Sequence, residues 1–159
     1  MVKVMMICHG NICRSTMAEF VLKNIVNQKH LANRFHIASA GTSREEIGHD
    51  THIGTRRKLT EMGIPFTRRE AIQVTRKDYD SYDYLICMDR SNLRNLDRII
   101  GEDSKGKVYL LLDFAGQNSD IADPWFTVNF DVTYDDVVVG CEAFLNYVLQ
   151  GGRGGYEEN

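Results

Sequence analysis

The run Cys8-His9-Gly10-Asn11-Ile12-Cys13-Arg14-Ser15 places a nucleophile, a planar cation and a hydroxyl close together in the chain. Successive backbone N–H groups of a tight loop that opens into a helix form a cradle for an anion. Gly10 is the position where positive φ and close ligand approach are expected, and Asn11 is among the residues that tolerate the left-handed region. The guanidinium of Arg14 can hold two phosphate oxygens at once. In that positive potential Cys8 is expected to act as a thiolate nucleophile. The Ser15 hydroxyl can donate to the thiolate or cap the helix. A second thiol, Cys13, five residues on in the same loop, suggests a reversible Cys8–Cys13 disulfide and hence redox sensitivity. The competing reading for both cysteines is packing, since a cysteine on a buried strand is more often core filler.

Cleaving a phosphate ester by thiolate attack also needs a proton for the leaving oxygen. No histidine stands at a suggestive spacing from Cys8, and His9 reads as a solvated loop residue. Spacing alone leaves Asp113, Asp120 and Asp123 open. Asp123 stands out because Pro124 stiffens its loop and Trp125-Phe126 put aromatic surface beside it, although an arbitrary Asp-Pro is more often a turn. No His/Cys cluster has metal-ligand spacing, so no metal and no cofactor are expected.

These groups must be held by the elements around them. Residues 2–8 are an apolar, β-branched and Met-rich run with only Lys3 polar, a buried strand. Residues 15–31 carry apolar side chains at Met17, Phe20, Val21 and Ile25, a helical stripe, with Thr16-x-x-Glu19 matching a capping box. Strands are expected at 35–40, 82–88 and 107–114. Helices are expected at 50–62, from a Ser91 cap to about 100, and at 130–149. Such alternation implies an α/β fold, a single domain over 1–150 with a parallel sheet and helices on both faces. Ligands then bind beyond the carboxyl ends of the strands, and the Cys8 loop follows the first of them. Residues 151–159, glycine-rich and without apolar periodicity, read as a flexible tail.

Composition removes other classes. At roughly 100–200 residues per domain, 159 residues make one domain. A net charge of −3, from 19 basic and 22 acidic residues, argues against a nucleic-acid partner. No apolar run is long enough for a transmembrane helix, so no membrane partner is expected. Four cysteines without a signal-like start read as reduced thiols, which points to the cytoplasm.

The loop resembles the signature of the low-molecular-weight protein tyrosine phosphatases. The resemblance continues through Ser39-Ala40-Gly41-Thr42-Ser43, Gly63-Ile64, Asp83-Tyr84-Leu85-Ile86-Cys87-Met88-Asp89, Ser91-Asn92-Leu93-Arg94-Asn95-Leu96 and Asp123-Pro124, covering about residues 2–149. It implies a four-stranded parallel sheet and hydrolysis of phosphotyrosine and aryl phosphates through a phosphocysteine. Cys8 would attack phosphorus. Arg14 and the loop from His9 to Cys13, with Ser15, would hold the phosphate, and Asp123 would serve as acid and then base. Asn11, Ser15 and Ser39 match positions that brace the loop, and Cys13 matches the family's second loop cysteine. The partners implied are phosphotyrosine proteins, with phosphate and oxyanions as inhibitors, for a monomer or weak dimer.

This chain departs from the pattern at four places. Thr16 replaces a proline, Arg69 stands where relatives commonly have a bracing histidine, and Trp125-Phe126 replaces a tyrosine pair. Glu45 stands where many members place an aromatic, so the pocket wall would be formed by Glu45, Trp125 and Phe126. Three alternatives remain. Protein arginine phosphatases carry Thr at the position of Ile12, arsenate reductases need a further cysteine relay, and a non-catalytic phosphate-binding module needs neither Cys8 nor Asp123.

Overall fold

β1 (Val2–Cys8) lies inside the sheet and is buried along nearly its whole length, which is why its run is apolar at consecutive positions. The computed structural model describes residues 1–152. β2 (Phe35–Gly41), β3 (Tyr84–Cys87) and β4 (Val108–Leu110) complete a sheet of order β2-β1-β3-β4, every pairing parallel. In register, Cys8 faces Gly41 on one side and Ile7 faces Cys87 on the other. The chain leaves β1 for β2 on one flank and later crosses to β3 on the other. That reversal puts a crevice at the carboxyl end of β1.

The period of two sorts β1 between two cores. Val4, Met6 and Cys8 join Met17, Val21, Leu22, Phe144 and Leu145 under α1 (Arg14–Gln28) and α6 (Phe130–Leu149). Met5 and Ile7 join Leu85, Leu96, Ile100 and Leu110 on the opposite face, beneath α4 (Arg90–Ile100), with Val74 and Tyr79 of the α3 region (Arg76–Ser81). The expected α/β architecture is thus borne out, and α6 has the expected bounds.

Several local expectations change. The run at 107–114 is a strand only to Leu110, followed by a 3-10 turn over Leu111–Ala115. The consecutive Leu111 and Leu112 both bury in the α1/α6 core, which a strand with alternating faces cannot achieve. Gly140 of α6 admits this turn, since a Cβ there would lie 2.4 Å from Leu111 Cγ. The Thr16/Glu19 capping box does not form. α1 begins at Arg14 after Cys13, with no side-chain cap, and Thr16 Oγ1 instead donates to the Ile12 and Cys13 carbonyls. The cap of α4 is Asp89 in a box with Asn92, displacing Ser91. α2 runs over Ile53–Glu61, with His52 as its cap. Two short helices, α3 and α5 (Pro124–Thr127), carry too few residues for a visible apolar period. Of the expected tail, residues 153–159 lie outside the described residues.

Candidate active site

Cys8 ends β1 and is pinned by the chain beside it: its carbonyl accepts from Thr42 N at 2.9 Å, and the His9 carbonyl accepts from Ser43 N at 3.0 Å. A side chain at Gly41 would place Cβ 2.7 Å from the His9 carbonyl oxygen, so this contact requires glycine. The left-handed residue of the loop is Asn11, at φ +59°; Gly10 does not take the positive φ expected of it. Gly10 is instead a place of close approach, where a Cβ would lie 3.3 Å from Glu46 Cγ.

Asn11 can hold this conformation because every polar atom of its buried side chain is engaged. Its Nδ2 donates to Ser15 Oγ at 2.8 Å and Ser39 Oγ at 3.0 Å. Its Oδ1 accepts from Ile72 N at 3.1 Å and from the Arg69 guanidinium. Ser39 in turn donates to Glu19 at 2.5 Å. With Asn11 donating to its oxygen, the Ser15 hydroxyl is free to direct its own proton to Cys8 Sγ, 3.0 Å away. Cys8 Sγ also accepts from Asn11 N at 3.3 Å. Two donors therefore converge on sulfur.

The Arg14 guanidinium is almost fully buried at the mouth of β1. Its Nη1 donates to Asp89 Oδ2 at 2.6 Å and to the Ile121 carbonyl at 2.8 Å, and its Nη2 lies 3.4 Å from Asp123 Oδ2. Burial opposes the charge, but Cys8, Asp89 and Asp123 outweigh it and hold the arginine firmly protonated. Asp123 caps α5 through Trp125 N, accepted by Oδ1 at 3.0 Å, which leaves Oδ2 directed to the arginine. Geometry separates the three aspartates that spacing could not. Asp120 is tied to Arg90 in an exposed pair, and Asp113 lies exposed in the turn after β4. Only Asp123 of the three lines the pocket.

That pocket brings together Cys8, His9, Gly10, Ile12, Cys13, Glu45, Glu46, Asp123, Trp125 and Phe126. Trp125 and Phe126 are exposed and form its apolar wall, 54% and 80% accessible respectively. Among the lining residues Glu45 Oε2 lies 2.7 Å from His9 Nε2 in an exposed pair. Burial, then the charges of Cys8 and Asp123, pushes the Cys13 thiol up to about 12. Asn11, Arg14, Ser15 and Ser39 are not among the lining residues: Asn11 and Ser15 contact Cys8 Sγ, Arg14 reaches Asp123, and Ser39 holds Asn11. Among the described residues no three His, Cys, Asp or Glu are grouped to hold a metal ion.

Sequence reasoning missed Asp89, Glu46 and His52. Asp89 had one signal, its place directly after the third strand. Glu46 and His52 had none, because their roles arise from contacts between segments far apart in the chain.

Comparison with known proteins adds to this geometry. The family model described as low molecular weight phosphotyrosine protein phosphatase matches residues 3–151. The chain is 34% identical over 153 residues to a Staphylococcus aureus protein named low molecular weight protein-tyrosine-phosphatase PtpA, covering 94% of this chain and 96% of that one. The crystal structure of YfkJ from Bacillus subtilis superposes with a TM-score of 0.90 at 35% identity, covering 94% and 96% of the two chains. A Drosophila arginine phosphatase superposes with a TM-score of 0.83 at 28% identity, covering 92% and 97%.

Proposed function

The chain belongs to the low-molecular-weight protein tyrosine phosphatases and is a cysteine-dependent hydrolase of phosphoproteins, and on that premise we propose the following division of labour in its site. Cys8 Sγ attacks phosphorus in line with the departing phenolic oxygen. Arg14 and the N–H groups of the loop hold the three equatorial oxygens, whose charge is spread in the transition state. Asp123 protonates the leaving oxygen, then takes a proton from the water that cleaves the phosphocysteine. Phosphate and other oxyanions compete for the same cradle.

The observation that carries this reading is the convergence on one pocket of a thiol held by two donors and a carboxylate held by the arginine of the phosphate loop. Phosphotyrosine is the favoured substrate, since Trp125 and Phe126 offer an aromatic wall and Ile12 an apolar floor. The arginine phosphatase reading has one observation on its side, Glu45 at the rim, where a carboxylate could pair with a guanidinium. The cytoplasm remains the favoured compartment, supported by four free, buried thiols; no described helix is long and apolar enough to cross a membrane.

A panel of phosphotyrosine, phosphoserine and phosphoarginine peptides tests the substrate. Cys8→Ser should abolish turnover and retain oxyanion binding. Asp123→Asn should slow aryl phosphates with basic leaving groups far more than those with acidic ones. Substantial turnover by Cys8→Ser, or equal losses across the leaving-group series, would overturn these roles.

A further inference from the structure

His52 lies outside the pocket yet touches two of the residues that line it, Ile12 and Trp125. Its backbone N donates to the Ile12 carbonyl at 2.8 Å, tying it to the phosphate loop. Its Nδ1 accepts from Gly54 N at 2.9 Å and caps α2. That hydrogen bond holds the ring at a fixed angle. One side of the ring stacks on Phe130, with centroids 5.6 Å apart and planes 17° from parallel. Phe130 itself packs against the buried Ile12, Cys13 and Ala71. Towards Trp125 the ring makes an edge contact, 5.5 Å between centroids at 75°. Gly54 keeps the stack close, for a Cβ there would overlap the Phe130 ring at 2.2 Å.

We propose that His52 is a positioning residue for the acid loop: through the Trp125 ring it sets Asp123 relative to the phosphate loop. The Trp125 backbone N–H donates to Asp123 Oδ1 in the hydrogen bond that starts α5, so the carboxylate follows the main chain that carries the indole. The acid loop is thus held at two points. Arg14 holds the carboxylate directly, at a long 3.4 Å, and His52 holds the tryptophan two residues on. Without the second point, Trp125 is an exposed side chain on a four-residue helix that ends at Val128 in the left-handed region, at φ +60°. The two anchors share one base, because both Arg14 and the Ile12 carbonyl belong to the phosphate-loop segment. Displacing the acid by even about 1 Å from its leaving oxygen would be felt in the protonation step alone.

This inference rests on Asp123 as the general acid, and the test separates the two. His52→Asn keeps a good helix cap and deletes the ring. His52→Phe keeps a ring and deletes the cap. For each, kcat/KM is measured across aryl phosphates of rising leaving-group pKa, together with Tm. In His52→Asn, kcat/KM for the most basic leaving groups should fall about tenfold or more, with little change for the most acidic. Tm should stay near the parent's. In His52→Phe, Tm should fall while the leaving-group dependence stays closer to the parent's. Combining His52→Asn with Trp125→Ala should add little to Trp125→Ala alone. A uniform loss across the series in His52→Asn, or additive losses in the double variant, would overturn the proposal while leaving Asp123 in place. An Asp123→Asn variant without leaving-group discrimination would overturn both.

Discussion

Replacing Asp89 by Asn tests how the phosphate-binding arginine is aimed. In the parent, Asp89 does two things with one carboxylate: Oδ1 accepts from Asn92 N at 2.7 Å and caps α4, and Oδ2 accepts from Arg14 at 2.6 Å. The Arg14 side chain is 3% exposed and that of Asp89 18%, so water hardly screens the pair. A hydrogen bond to a charged group contributes about 1.5–3 kcal/mol, and a neutral one about 0.5–1.5. Asn has one accepting oxygen for these two donors; kept on Asn92 N, it turns its NH2 towards the guanidinium, so the Arg14 contact is lost and kcat/KM should fall roughly ten- to hundredfold. With that oxygen on Asn92 N the cap is kept, and Asn and Asp cap helices about equally, so Tm should hardly move. Asp89→Ala loses acceptor and cap together. Its kcat/KM should fall roughly ten- to hundredfold, and the lost cap, about 1 kcal/mol, should lower Tm by about 2–4 °C. Steady-state kinetics on an aryl phosphate with a parallel thermal melt reads both quantities. An unchanged or raised kcat/KM in Asp89→Asn would refute the reasoning, for it would mean that Asp89 competes with phosphate for the arginine.

Three further outcomes follow from the thiols and the rim. Burial lifts Cys13 from 9.0 to about 12 and raises Cys87 and Cys141 as well, so iodoacetamide at neutral pH should label Cys8 and spare the other three, as read by peptide mass mapping. Those three thiols keep protons that the unfolded chain releases near pH 8.5–9, so stability is level below that range. Above it stability should fall as pH rises, by about 1.4 kcal/mol per unit for each thiol still protonated in the fold; level stability in denaturant melts up to pH 10.5 would contradict this burial. Glu45→Trp should lower KM for aryl phosphates roughly two- to tenfold, the worth of an aromatic pair of about 0.5–1.5 kcal/mol. If the same change leaves aryl phosphates alone and damages phosphoarginine turnover, the tyrosine assignment falls.

Much of the site was legible from short-range pattern. The nucleophile, the arginine and the cradle lie within one continuous segment, and a loop between a buried strand and a helix has few conformations open to it. The long helix α6 and the central strand carry enough residues for their periods to show. The short helices α3 and α5 do not, and the run after Lys107 shows why apolar runs mislead. Leu111 and Leu112 are apolar whether they continue a strand or turn under α6, and only the space left by Gly140 decides between the two.

The sequence alone determined which groups stand together in the loop from Cys8 to Ser15, because its residues are neighbours in the chain and their spacing is their geometry. It could not choose among Asp113, Asp120 and Asp123 by spacing. Each lies about a hundred residues from Cys8, and that separation says nothing about distance in space. The parallel sheet puts only Asp123 of the three in the pocket, bringing the carboxyl ends of β1 and β3 together with Arg14 between Asp89 and Asp123. The same folding put Arg69 on Asn11, Glu46 against Gly10 and the His52 ring against Trp125. Each is a contact between segments that share no local pattern, so only the packed tertiary structure could decide it.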